Sequence, residues 1–345
     1  MRNRGFLRAG LLLAGCAVLL LGCSAKKQEE TQTENLQAEG IQTEVAKMGR
    51  LRVVSTIFPA YDWAREVIGD QAEAYELTCL LEDGADLHSY QPTAEDLLKI
   101  SEADVFLYVG GESDRWVEKV LSSAPAKDRQ VINLMEVLGE RVQEERLVEG
   151  MEEEHSDHTE ESAPEETEYD EHVWLSLQNA MTVIEKLEES FAVLDPEHQK
   201  AYEDNGAHYR MELSELDEEY RQVVNASTKK TLLFGDRFPF RYLAEDYGIN
   251  YYAAFPGCSA ETEASFQTVV FLSGKLEELK LPVVLTIDHS DGKLAETIIR
   301  NTEEKNQAIL SLNSLQSVTR KEQAEGMTYL KAMEENLQVL KKALN

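Results

Sequence analysis

Basic residues are scarce in this chain: 34 lysines and arginines stand against 65 aspartates and glutamates in 345 residues, a formal net charge of −31. A field of that sign repels phosphate backbones and anionic lipid head groups, which excludes nucleic acid as a partner. Cations are the natural counterparts, although an acidic surface by itself only secures solubility. Cysteine is nearly absent as well. The four present, Cys16, Cys23, Cys79 and Cys258, make no disulfide framework. Cys79 and Cys258 could pair in an oxidising compartment or remain two buried thiols. Neither a His-Glu-x-x-His nor a Gly-x-Ser-x-Gly motif occurs, so the usual signatures of a zinc protease or a serine hydrolase are missing. The apolar run from Leu11 to Leu21 is too short to span a bilayer comfortably.

That short run is informative in another way. Arg2, Arg4 and Arg8 precede it, and Gly22, Cys23, Ser24, Lys26 and Lys27 follow. A basic start, a short apolar core and a small residue before a cysteine form an export signal. Leu20-Leu21-Gly22-Cys23 resembles a bacterial lipobox, in which cleavage precedes the cysteine and the new N-terminus is lipid-modified. The resemblance implies a signal peptide over residues 1–22, lipidation at Cys23 and an extracytoplasmic protein anchored to the cell membrane. The plainer alternative is an ordinary signal peptide with an incidental cysteine. Residues 23–50 are polar, without apolar periodicity, and read as a disordered tether.

Order is expected from Leu51, where Val53-Val54-Ser55-Thr56-Ile57 reads as a buried strand leading through Pro59 into a helix near Asp62–Ile68. Strands are predicted near Tyr75–Leu80, Val105–Val109 and Val131–Leu134, with a helix from Thr93, a good N-cap ahead of Glu95 and Asp96. Alternation of this kind predicts a parallel sheet covered on both faces. Residues 149–171 interrupt it as an acidic, disordered loop. A helical stretch follows, with Ala180, Val183, Ile184, Leu187 and Phe191 on one face, and with Tyr202, Tyr209, Leu216 and Val223 recurring every seven residues after Asp195-Pro196. Strands at Thr231–Gly235, Ile249–Ala253, Val283–Ile287 and Ala308–Leu312, and a last helix from about Lys321 to Leu344, form a second alternation. The fold class is therefore α/β, with two parallel-sheet lobes (51–178 and 229–345) joined by a long connector helix over 179–228. The ligand site is expected in the cleft between them, beyond the carboxyl ends of the strands.

Of the seven histidines, His88 and His172 lie in loops at strand ends, whereas His198 and His208 sit on the connector at positions that do not share a face. Asp236 and Asp288 each follow a second-lobe strand. Two imidazoles and two carboxylates converging there would suit a divalent transition metal, zinc first and manganese second. Either carboxylate could instead cap the helix after it, Asp288 more readily than Asp236.

With these residues in view the chain resembles the metal-binding solute receptors of zinc and manganese ABC importers, the ZnuA-like family. The resemblance rests on Gly84 to Leu97, Ala103-Asp104-Val105, Gly110-Gly111-Glu112 with Trp116, and Glu171-His172-Val173-Trp174-Leu175 with Asn179-Ala180. It continues through Asp195-Pro196, Tyr202, Asn205, Tyr209, Phe240-Arg241-Tyr242-Leu243-Ala244, Tyr247-Gly248, Glu261-Thr262-Glu263 and Lys293-Leu294-Ala295. The family implies two α/β lobes on one backbone helix, with metal ligands at His88 and His172. Its third ligand, His or Glu, stands three residues before the Phe of Phe-x-Tyr. Here that position is Arg237, a departure, so Asp236 is the expected substitute. The fourth ligand falls on Asp288, with Asp291 in reserve and His289 as the more zinc-like option. The acidic loop offers His155 and His158 as auxiliary, weak zinc-collecting groups; a plain solvated insertion is the alternative.

The function so implied is a monomeric receptor, not an enzyme, that captures Zn²⁺ and delivers it to an ABC permease and, indirectly, its ATPase. A manganese-specific (Mn²⁺) receptor is the alternative within the class, and a secreted metallohydrolase the alternative from another. Affinity should fall as the histidines protonate.

Overall fold

The computed structural model describes residues 50–82, 85–123, 128–151, 168–259 and 263–345. The signal segment, the tether, Cys23, His155 and His158 lie outside the described residues. Strand β1 (Leu51–Ser55) lies inside the first sheet, with Val53 and Val54 buried on its two faces. It pairs in parallel with β2 (Tyr75–Cys79) on one side and with β3 (Val105–Tyr108) on the other, and β4 (Gln130–Asn133) extends β3, giving the order β2-β1-β3-β4. The second sheet repeats this plan: β5 (Thr231–Phe238), β6 (Asn250–Pro256), β7 (Val283–Ile287) and β8 (Ala308–Leu312) pair in the order β6-β5-β7-β8, all parallel. In both sheets the chain leaves the central strand to one side and then crosses to the other. Crevices at such reversal points, at the carboxyl ends of the strands, hold ligands.

Helices cover both faces: α1 (Phe58–Ile68), α2 (Ala94–Glu102), α3 (Trp116–Ser123) and α4 (Leu134–Leu138) belong to the first sheet. Thr93 caps α2 in a full capping box with Asp96, as its sequence predicts. Two helices follow, α5 (Leu177–Leu194) and α6 (Gln199–Ala226), which pack side by side after a break at Asp195-Pro196. The 28 residues of α6 extend roughly 42 Å. Its first half is tied to the first lobe, where Tyr202 and Tyr75 share a hydroxyl contact of 2.8 Å and Asn205 donates to Val67 O. Its second half is tied to the second lobe, where Tyr220 donates to Met333 O and Asp217 accepts from Tyr247. The remaining helices are α7 (Arg241–Tyr247), α8 (Phe266–Glu278), α9 (Lys293–Arg300), α10 (Arg320–Ala324) and α11 (Tyr329–Ala343).

Two expectations about elements are corrected. Strand β5 does not stop at Gly235 but continues to Phe238, with an irregularity between Phe234 and Arg237 that lets pairing resume at Arg237 opposite Phe255. Gly235 lies at that irregularity and in close contact with α9, since a Cβ there would stand 2.7 Å from Ala295 Cα. The last helix is two helices. Gly326, at φ 88°, ends the first, and Thr328 caps the second by accepting from Lys331 N.

The side chains that alternate along the strands divide the interior into three groups. Val53 and Leu107 of the first sheet and Leu232, Phe234 and Leu285 of the second join one continuous core that also contains Trp63, Trp174 and Tyr329. Val54, Phe106, Ile100 and Val117 form a smaller cluster on the outer face of the first sheet, and Leu233, Val284, Leu272 and Ile298 one on the outer face of the second. The lobes therefore share their main core, and pulling them apart would expose it at about 25 cal/mol per Å² of apolar surface. Polar bonds reinforce the seam: Tyr329 N donates to Asp62 Oδ2 at 2.7 Å, Tyr329 Oη to Trp174 O at 2.7 Å, and Trp174 Nε1 to Ser314 O at 2.8 Å. Among the described residues no helix is long and apolar enough to cross a membrane.

Candidate metal centre

His88 is held by the single helical turn Leu87–Ser89, which follows β2. Asp86 caps that turn, its Oδ1 accepting from His88 N at 2.9 Å, while Leu87 anchors it in the core. His172 precedes a second such turn, Val173–Leu175, whose three side chains are all buried. Ser176 then caps α5 by accepting from Asn179 N. The same device recurs at the second histidine: Asp170 Oδ1 accepts from His172 N at 2.9 Å. Each imidazole is thus placed by an aspartate two residues ahead of it.

The two rings meet. His88 Nε2 lies 3.1 Å from His172 Nε2. Their other nitrogens are already engaged. His172 Nδ1 is 2.8 Å from Asp170 Oδ1, a carboxylate that can only accept, so the proton belongs on Nδ1. His88 Nδ1 is 2.9 Å from Ser113 Oγ, and Ser113 donates its own hydroxyl to Glu171 Oε2. The hydroxyl therefore accepts from His88, which again places the proton on Nδ1. With both tautomers assigned from the network, two Nε2 lone pairs face one another at hydrogen-bond distance. Only a proton or a metal cation between them relieves that arrangement.

The surroundings favour the metal. Burial holds the His172 imidazole below its usual range, with Asp170 pulling partly against it. Burial alone would raise Glu171, but hydrogen bonds from His88 and Ser113 outweigh it and keep the carboxyl below the usual range. Asp114 accepts from Val109 N and Gly110 N and is pushed up to about 7, chiefly by burial. Carboxylates thus line the imidazole pair from several sides without competing for the two Nε2 atoms.

A third group joins them. The ligand atoms of His88, His172 and Cys258 all lie within 4.8 Å of one another. Cys258 follows β6, and both Cys79 and Cys258 are free thiols, so the pairing left open by the sequence does not occur. Asp236 and Asp288 do not enter this group. Asp236 Oδ1 accepts from Arg237 N, and its Oδ2 is buried without a partner. Asp288 Oδ1 accepts from Ser314 N at 2.6 Å while Asp288 N donates to Leu312 O, which pins the ends of β7 and β8 together. His289 adopts φ 60° and stands 3.9 Å from Glu322 on the surface, and Asp291 pairs with Lys293 in solvent.

Arg237, where a ligand was expected from the resemblance, reaches the first lobe. Its guanidinium is 2.8 Å from Asp86 Oδ2 and donates to Ser259 O at 3.1 Å. Burial would raise Asp86, but the charge of Arg237 prevails and holds it below the usual range. The sequence signal that pointed to Cys258 was present: a glycine-cysteine pair at the end of a strand, in a chain with few cysteines.

Two α/β lobes on a long helix, with paired imidazoles at the strand ends, define a metal-receptor type of architecture. Residues 53–343 match the family described as ZnuA, zinc-uptake complex component A, periplasmic, and the chain belongs to that family. It is 29% identical over 335 residues to the zinc-binding lipoprotein AdcA of Streptococcus pneumoniae, covering 97% of this chain and 60% of that protein. It therefore spans three-fifths of that relative's length. It is 26% identical over 333 residues to the high-affinity zinc uptake system protein ZnuA of Bacillus subtilis, covering 96% of each. The crystal structure of the Zn(II)-bound ZnuA-like domain of S. pneumoniae AdcA superposes with a TM-score of 0.66 at 27% identity, covering 86% of this chain and 99% of that one.

Proposed function

We propose that this protein is an extracytoplasmic receptor that captures Zn²⁺ at His88 and His172 and delivers it to the membrane permease of an ABC importer, tethered by a lipid on Cys23. The observation that carries the reading is the pair of Nε2 lone pairs at 3.1 Å, each fixed by a committed Nδ1. Imidazole donors suit zinc, and divalent affinities at nitrogen sites favour zinc over manganese. Titration of the metal-free protein with each cation should give one tight zinc per chain and much weaker manganese binding. Affinity should decline as pH falls through the imidazole range, because bound histidine must give up its second proton. Absence of tight zinc binding at neutral pH would sink the proposal.

The carboxylate behind His172 makes a second prediction. Asp170→Asn keeps the shape but exchanges a charged acceptor for an amide that can present either end to Nδ1. Zinc affinity should drop about 10- to 100-fold, with a smaller change in unfolding temperature; an affinity within twofold of wild type would show that Asp170 does not orient the ring.

A further inference from the structure

We propose that Cys258 is the third protein ligand, binding as a thiolate, so that the centre is a two-histidine, one-cysteine site selective for zinc and other thiophilic cations over manganese. The inference rests on the reading of His88 and His172 as the capture site and adds a residue to it.

Geometry supports the assignment first. A tetrahedral zinc with nitrogen ligands at about 2.0–2.1 Å and sulfur at about 2.3 Å requires ligand–ligand separations of roughly 3.3–3.6 Å. The imidazole pair already stands at 3.1 Å, and no ligand atom of the three is more than 4.8 Å from another. Drawing the sulfur in by roughly 1.2 Å at most, to the outer end of that range, completes three corners of the tetrahedron.

The loop bearing the cysteine is built to come this close. At Gly257 a Cβ would lie 2.9 Å from His172 Cε1 and 3.0 Å from His172 Nδ1, so the backbone is pressed on the ring and only glycine leaves room. The loop is also tied across the cleft. Arg237 donates to Ser259 O and pairs with Asp86, the residue that caps the turn carrying His88. A guanidinium has donors and no acceptor, so Arg237 cannot itself bind the metal; the sulfur stands where a third donor is still needed. The other described thiol is committed elsewhere: Cys79 is buried and donates to Leu81 O.

The binding step balances without a redox partner. The zinc–sulfur bond forms as the S–H bond breaks, and the proton passes to water. Thiolate and imidazole are the donor types that zinc prefers and manganese does not.

Cobalt(II) reports on the sulfur directly. The full chain loaded with Co²⁺ should show an intense near-ultraviolet sulfur-to-cobalt charge-transfer band. That band should persist in Cys79→Ser, disappear in Cys258→Ser, and be accompanied in the latter by a loss of zinc affinity on the order of 100-fold. Cobalt binding without the band in the wild-type chain, a result that needs no variant, would overturn the assignment. So would Cys258→Ser with unchanged zinc affinity. If His88→Ala and His172→Ala abolish binding while Cys258→Ser does not, the cysteine ligand falls and the capture site stands. If all three bind zinc normally, both fall.

Discussion

His172→Ala should lose tight zinc binding while keeping the fold, if the imidazole pair is the capture site. The ring is fully buried, with its Nε2 against His88 and its Nδ1 on Asp170. Structural zinc sites with four ligands gain about 10–16 kcal/mol at neutral pH. One ligand's share is then roughly 3 kcal/mol, or more than 100-fold in affinity. The true loss should be larger, because Asp170 is left with a backbone donor alone and its buried charge is under-compensated. Zinc should also stop protecting the protein against heat: a ligand at 100 times its dissociation constant adds about 2.7 kcal/mol to stability. That increment should vanish in the variant, whereas the melting temperature in chelator shifts only modestly. Calorimetric titration and melting curves with and without zinc measure both. Retention of wild-type affinity would exclude His172 from the site.

Much of the fold was legible because parallel strands covered on both faces are near-continuous apolar runs. Val53-Val54-Ser55 and Val283–Ile287 announce themselves, and every predicted strand forms within a few residues of its expected position. The errors have a common origin in tertiary support. Asp236 and Arg237 look like the start of a loop, yet they remain in β5 because the strand irregularity absorbs one residue and Asp86 of the other lobe neutralises Arg237. The last helix looks continuous because only Gly326 interrupts its periodicity.

The site divides in the same way. His88 and His172 could be singled out because each sits at a strand end in a chain with few histidines. Which donors face them could not, since that depends on how loops 84 and 86 residues apart in sequence close on one point. The carboxylates favoured from the sequence lie outside the cluster of His88, His172 and Cys258: Asp288 accepts from Ser314 N, and Asp236 accepts from Arg237 N. From the sequence Cys258 reads as half of a disulfide or as a free buried thiol, and the structure leaves it free beside the two imidazoles. A thiol that finds no partner cysteine and stands beside two imidazoles is a ligand candidate.

Trp174→Ala should be the most destabilising single change in the seam and should weaken zinc binding as well. The indole is fully buried, its Nε1 donates to Ser314 O, and its ring centroid lies 5.2 Å from that of His172. Deleting it removes apolar contacts from the core shared by both lobes, leaves a large cavity, and orphans a buried carbonyl. Truncations of buried aromatics of this size cost about 3–5 kcal/mol, and the orphaned acceptor adds about 1–3 kcal/mol. Trp174→Phe refills most of the volume but not the hydrogen bond, so it should lose mainly the second amount. Comparison of the two variants in urea separates packing from hydrogen bonding. Zinc affinity should follow the packing loss, because the indole packs beside the His172 ring. If Trp174→Ala unfolds at the wild-type urea midpoint, the shared core does not hold the lobes together. If it is destabilised yet binds zinc with unchanged affinity, the imidazole is positioned by Asp170 alone.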